Sequence, residues 1–118
     1  MSAEKLKTIC FDYSHNNLLK LESPVYPDFL QFLFDSGYRL GKIEAGFDNI
    51  EKLSRYKVLI VGGMVNSKIT QQEIDVIIQF VKQGGSLLLV ADGGGDKQAD
   101  SNINDLAKHF GFTFENNV

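Results

Sequence analysis

The segment DYSHNN, residues 12–17, places an aspartate three residues before a histidine and surrounds the pair with hydrogen-bonding side chains. An aspartate at that spacing can orient an imidazole, which makes His15 a candidate general base or metal ligand, with Asp12, Ser14 and Asn16 beside it. The competing reading is a solvated or merely hydrogen-bonded histidine, because no second histidine lies nearby in the sequence. A second such stretch, ADGGGDKQADSNIND, spans residues 91–105 and holds three consecutive glycines, four aspartates and two asparagines. Glycines let a backbone turn sharply or approach a ligand closely. The stretch could therefore cradle a ligand, present a nucleophile, or only turn the chain.

The motifs of several chemistries are absent. Gly95 is followed by Asp96 rather than by Gly-Lys-Ser/Thr, so there is no phosphate-binding P-loop, and GxGxxG spacing is missing as well. The extra carboxylates would repel a nucleotide phosphate. The turns GGMV and DGGGD carry no Ser or Cys in a nucleophile-elbow frame, which leaves a hydrolase or amidotransferase without its nucleophile. Asp12, Asp92, Asp96 and Asp100 match neither a calcium loop nor a zinc site, so no metal or other cofactor is expected. Cys10, the single cysteine, reads as a small buried hydrophobe, and His109 as a charge near the end of a helix.

The whole chain sets further limits. At 118 residues it suits one domain over 1–118. Its 43% hydrophobic and 23% charged residues are ordinary for a folded protein. With 12 basic and 15 acidic residues the net charge is −3 and the lysines are scattered, so nucleic acid is not an expected partner. The apolar runs are strand length, and the start MSAEKLKT lacks a signal peptide's apolar core, so a cytoplasmic protein without membrane insertion is expected.

Alternating strands and helices must position these residues. Strands are expected at 7–12, 38–45, 56–63, 86–92 and 112–118, the third and fourth apolar enough to be covered on both faces. PDFLQFLFDSG, residues 27–37, predicts a helix so rich in Phe and Leu that it should be well buried. ITQQEI predicts a second helix with Thr70 as cap, Glu73 bonding back, and Ile69 packed on Ile74. Ile74, Ile77, Ile78 and Val81 form its apolar face, and Gly84 and Gly85 stop it. A third helix starts near Ser101 or Asn102, carries Ile103, Leu106, Ala107 and Phe110 on one face, and ends at Gly111. Residues 45–56 support only a short helix or turn. The expected fold is an α/β three-layer sandwich with a mostly parallel, flavodoxin-like sheet in the order 2-1-3-4 and the last strand beside the fourth. A domain of this class usually continues, which raises the alternative that the chain is the N-terminal part of a longer one.

In such a sheet, ligands bind at the carboxyl ends of the strands. That rule selects loops 12–17, 45–49, 62–67 and 91–102, and gives a ligand-binding set of Asp12, Ser14, His15, Asn16, Gly62, Gly63, Asp92, Gly93, Gly94, Gly95, Asp96 and Asn102. Asn17, Asp48, Asn66 and Ser67 share the rim. Turns and caps need the same residue types, and capping is the expected role of Asn66, Ser67 and Asn102.

FVKQGGSLLLVADGGGDKQADSNINDLAKHFGFTFENNV, residues 80–118, resembles the GIFT domain family. That family includes the N-terminal domain of intraflagellar-transport subunit fifty-two and auxiliary proteins of gliding motility and ABC transport. The features in common are Gly84 and Gly85, the strand from Leu87 to Val90, the Gly-rich acidic turn, Asn102, Asn104 and residues 111–117. DYSHNN looks more like the prokaryotic members, which points to a prokaryotic or archaeal relative. The resemblance implies a fold similar to class I glutamine amidotransferases without their catalytic cysteine, and a role in ligand or protein binding.

Together these readings favour a non-catalytic binding and assembly module, holding either a protein partner on its helices or a small polar ligand, such as a saccharide, at the strand ends. The alternatives are a small hydrolase or metal-dependent enzyme using His15 with Asp12 or the 92–96 loop, and a purely structural interaction domain.

Overall fold

The computed structural model describes residues 8–15, 17, 27–64, 66–90, 96 and 100–113. Four aliphatic runs form parallel strands: β1 (Thr8–Asp12), β2 (Arg39–Ile43), β3 (Val58–Gly62) and β4 (Ser86–Val90). Their order is β2-β1-β3-β4, as the sequence predicts, with Cys10 opposite both Gly41 and Leu59, and Leu59 opposite Leu87. The order reverses at β1 and β3, so the loops leaving those two strands lie side by side at the carboxyl edge.

Side chains alternate across the sheet. Cys10, Leu59, Val61, Leu87 and Leu89 share one face, which packs against α2 (Gln71–Lys82) and α3 (Ile103–Ala107) through Ile74, Ile77, Phe80 and Leu106. Ile9, Phe11 and Ile60 lie on the other face, under Leu33 and Leu30 of α1 (Pro27–Asp35). This is the expected α/β sandwich. Burial pushes the Cys10 thiol up to about 12, with the Asp12 carboxylate adding to the effect, so Cys10 packs as an inert hydrophobe.

The strongest local signal forms as its sequence dictates. Thr70 accepts from the Glu73 N–H, while Glu73 Oε1 accepts from the Thr70 N–H at 3.0 Å, and this capping box starts α2. Gly84, at φ +100°, and Gly85 close the helix by donating to Val81 and Phe80 carbonyls. The weak pattern after β2 becomes a single 3-10 turn, Ile50–Lys52, capped by Asn49. After α3 the chain tightens into a 3-10 turn, Lys108–Phe110, and turns left-handed at Gly111. His109 is exposed in that turn.

Three expectations need correction. α1 is not well buried: only Leu33 is in the core, while Phe29, Phe32 and Phe34 are 36, 65 and 69% exposed. At 100° per residue, Leu30 and Leu33 turn to the sheet, so Phe29 and Phe34 fall on opposite flanks and Phe32 points outward. An all-round apolar helix needs neighbours on several sides to be buried, and here it has the sheet on one. β4, although as aliphatic as β3, is not covered on both faces: Leu88 is 43% exposed. Asn102 precedes α3 without capping it by its side chain. Of the expected fifth strand, residues 112 and 113 are irregular and 114–118 lie outside the described residues, as do residues 91 and 92 of the expected fourth.

Candidate functional site

β1 delivers Asp12 to the carboxyl edge, and the turn that follows folds His15 back against it. Asp12 Oδ1 accepts the Ser14 N–H at 2.8 Å, and Asn17 Oδ1 accepts the His15 N–H at 3.0 Å. Asn17 also donates to the Gly62 carbonyl at 3.0 Å, tying this turn to the end of β3. Ser14 Oγ donates to the Ile43 carbonyl and accepts the Gly46 N–H at 2.7 Å, tying it to the loop after β2.

His15 is buried, its side chain 4% exposed, and its imidazole lies between two carboxylates. Nδ1 is 2.6 Å from Asp12 Oδ2 and Nε2 is 3.0 Å from Glu73 Oε1, while the Phe47 ring packs at 5.3 Å between centroids. Glu73 thus serves its helix cap and the histidine with the same oxygen, and its Oε2 accepts the Phe47 N–H at 3.2 Å. The backbone at Gly46 completes the enclosure. It has φ +85°, and a Cβ there would lie 2.9 Å from Glu73 Oε2.

Charge follows from this geometry. Burial alone would lower the His15 pKa, but the hydrogen bond and charge of Asp12, then those of Glu73, outweigh it and raise the value from 6.5 to about 8. Burial would raise Glu73, yet the Thr70 N–H, His15 and the Phe47 N–H hold it below the ordinary carboxylate value. With an acceptor at each ring nitrogen, His15 is an imidazolium near neutral pH. A general base needs a ring lone pair, and here both nitrogens donate. The arrangement holds a proton between three structural elements and joins β1, the 45–49 loop and α2.

The second polar cluster is also internal. Asp96 Oδ1 accepts from Ser101 Oγ at 2.7 Å and the Ile103 N–H at 2.8 Å, while Oδ2 accepts the Asn104 N–H at 3.0 Å. Asp96 therefore caps α3 from seven residues upstream. This releases the Asn102 side chain, which accepts the Ile69 N–H at 2.6 Å and donates to the Ile69 carbonyl at 2.9 Å, joining the loops that precede α2 and α3.

The structure brings Asp12, Ser14, His15, Asn17 and Gly62 into one network. Gly63, at φ +64°, donates to the Val90 carbonyl at 3.0 Å. Asp96 and Asn102 belong to the separate α3 cluster. Asn16, Asp92, Gly93, Gly94 and Gly95 lie outside the described residues. Asp48 is exposed and pairs with Lys52 at 3.1 Å, which lowers its pKa. Thr70, not Asn66 or Ser67, caps α2, and Asn66 instead takes a left-handed turn at φ +50°. Among the described residues no group of three His, Cys, Asp or Glu could hold a metal ion, and no buried side-chain N or O lacks a hydrogen-bond partner.

Sequence reasoning assigned Glu73 only to the cap and passed over Phe47. A signal for Glu73 existed: Val76, Ile77 and Phe80 follow it at three, four and seven residues, on one buried face of α2. Nothing in the local sequence marks Phe47 as the partner of His15. Away from the polar edge, Val81, Leu87, Leu89, Phe110 and Phe112 line an open apolar groove of about 350 Å³ beside β4.

Comparisons with known proteins agree with this fold. A family model described as the IFT52 GIFT domain matches residues 8–118, which takes in the first half of the chain as well as the C-terminal third. The "Intraflagellar transport protein 52 homolog" of Mus musculus is 33% identical over 79 residues, 65% of this chain and 18% of the mouse protein. The solved structure "mmIFT52 N-terminal domain" has a TM-score of 0.83 at 25% identity, over 94% of this chain and 47% of that one. The chain spans less than half the length of either relative. No helix among the described residues is long and apolar enough to cross a membrane.

Proposed function

Because the chain belongs to the IFT52 GIFT domain family, we propose that it is a non-catalytic binding and assembly module that engages a protein partner through the outer side of α1. The observation that carries this reading is a contrast in saturation. Among the described residues each buried polar side-chain atom at the carboxyl edge has a partner within the protein, whereas α1 presents Phe32 and Phe34 at 65 and 69% exposure. Large exposed aromatics supply contact area at low entropic cost and are enriched at protein interfaces. A saccharide at the strand ends would have to compete with the bonds of Asp12, His15, Asp96 and Asn102, or use Asn16 and residues 92–95. Hydrolysis through His15 would require breaking its bond to Glu73 to free a lone pair.

A photo-cross-linking residue at position 32, in cells that make the protein, tests the reading alongside thermal-shift and turnover assays. The expected result is cross-linking to one protein species, competed by the unmodified chain and not by a Phe32→Ser variant. Turnover abolished by His15→Ala, or a sugar-induced stabilisation abolished by Asp96→Asn, would replace it with the enzyme or the saccharide reading.

A further inference from the structure

One proton on His15 serves two elements at once. Nδ1 lies 2.6 Å from Asp12 Oδ2 at the end of β1, and Nε2 lies 3.0 Å from Glu73 Oε1 in the first turn of α2. The second contact joins the 12–17 turn to α2 across 58 residues of sequence. The turn's bonds through Ser14 and Asn17 run elsewhere, to the Ile43 carbonyl, the Gly46 N–H and the Gly62 carbonyl. An ionised carboxylate only accepts, and a neutral imidazole has one N–H and one lone pair. Once the ring loses a proton, one nitrogen therefore turns a lone pair toward a carboxylate oxygen, and that contact becomes repulsive.

The geometry selects the contact that opens. Asp12 makes the shorter bond from three residues away and is fixed by its strand and by the Ser14 N–H at 2.8 Å. Glu73 has no room to retreat, because the Thr70 and Phe47 N–H groups hold its two oxygens and the Gly46 backbone lies against Oε2. Nδ1 keeps its proton, Nε2 loses one, and the ring moves rather than the carboxylate. The other groups around the site do not offset this. On the 45–49 loop, Phe47 offers an apolar ring, and Asp48 is exposed and paired with Lys52. On the β2 side, Lys42 and Glu44 pair with each other in solvent, and on β1 the Cys10 thiol, pushed up to about 12, stays neutral.

We propose that the His15 proton is a pH-sensitive pin between the 12–17 turn and α2: with it the carboxyl edge is sealed at this point, and without it the ring leaves Glu73 and water enters between the two elements. Ligands of open parallel sheets bind at this edge, so the pin governs access to the place where one would sit. Burial would lower the His15 pKa, but Asp12 and then Glu73 raise it from 6.5 to about 8, so the edge is sealed below 6.5 and opens as the pH rises through about 8. The device stands apart from the partner surface on α1, which packs on the other face of the sheet.

The test is amide hydrogen exchange of the 118-residue chain from pH 6.5 to about 9, corrected for the intrinsic rise of exchange with pH. The His15 N–H, bonded to Asn17, and the Phe47 N–H, bonded to Glu73, are expected to lose protection by roughly tenfold or more, with the same midpoint as Nε2 deprotonation followed by NMR. At pH 9 their opening should be insensitive to low urea, whereas that of the buried Leu59 and Ile77 amides should depend on urea as global unfolding does. His15→Gln, which carries no titrating proton, should make the protection of Phe47 independent of pH. If that variant does not fold, the two midpoints in the unaltered chain decide the matter. Unchanged protection, a urea dependence equal to that of Leu59 and Ile77, an exchange midpoint apart from that of Nε2, or a pH dependence that survives His15→Gln would overturn the proposal.

Discussion

The carboxyl edge of the sheet and the outer side of α1 invert the usual association of polar with functional. The edge is rich in Asp, Asn, Ser and His, and among its described residues each buried polar side-chain atom has a partner within the protein. The solvent-facing side of α1 carries Asp28, Gln31 and Asp35, yet Phe29, Phe32 and Phe34 are exposed among them. Residue type alone nominates the first region. Saturation nominates the second, because a group already bonded within the fold must give up that bond before it can hold anything else.

The edge can be broken most severely by removing its cation. His15→Leu leaves the Asp12 and Glu73 carboxylates buried beside each other without a counter-charge, and a loss of about 3 to 5 kcal/mol is expected. Urea unfolding at pH 6 measures it as a large drop in midpoint. A drop of a few tenths would mean that water or a rearranged loop serves the carboxylates equally well.

pH sharpens the same point without mutation. The folded-state pKa of His15 is about 8, above the ordinary 6.5, so its contribution is complete below 6.5 and is lost as pH rises through about 8. Glu73, whose pKa is lowered, contributes above its ordinary value of 4.5 and loses that contribution as pH falls through its folded-state value. Stability should therefore be highest between about 4.5 and 6.5 and decline toward pH 9, and His15→Leu should flatten the alkaline limb.

Smaller still is Thr70→Ala, which removes the hydroxyl that accepts the Glu73 N–H and is expected to cost about 1 kcal/mol by thermal unfolding. The smallest effect belongs to the other region. Phe32→Ser should change stability by no more than about 0.5 kcal/mol, because its ring is mostly in solvent, while abolishing partner binding. A large loss of stability there would show that α1 packs more closely than its exposure indicates.

Much of this was legible in the sequence. The strand order follows from alternating strands and helices, and the α2 capping box follows from ITQQEI alone, because local hydrogen bonds decide both its residues and their spacing. The Asp12 and His15 pair was equally visible. Its meaning was not, since Glu73 approaches from 58 residues away and converts an oriented base into a held cation. For a similar reason Asp96 took the capping role expected of Asn102: it reaches α3 from seven residues upstream, and Asn102 bonds Ile69 from 33 residues away. The burial of α1 and β4 was overestimated because apolar composition reports what a segment can bury against, and coverage depends on neighbours that the local sequence does not contain.

The most direct measurement is an NMR titration of the His15 ring nitrogens in the intact chain. The structure predicts both nitrogens protonated at pH 7 and a transition near pH 8. A neutral ring at pH 7, titrating at or below 6.5 with one nitrogen unprotonated, would contradict the account and return His15 to the list of candidate bases.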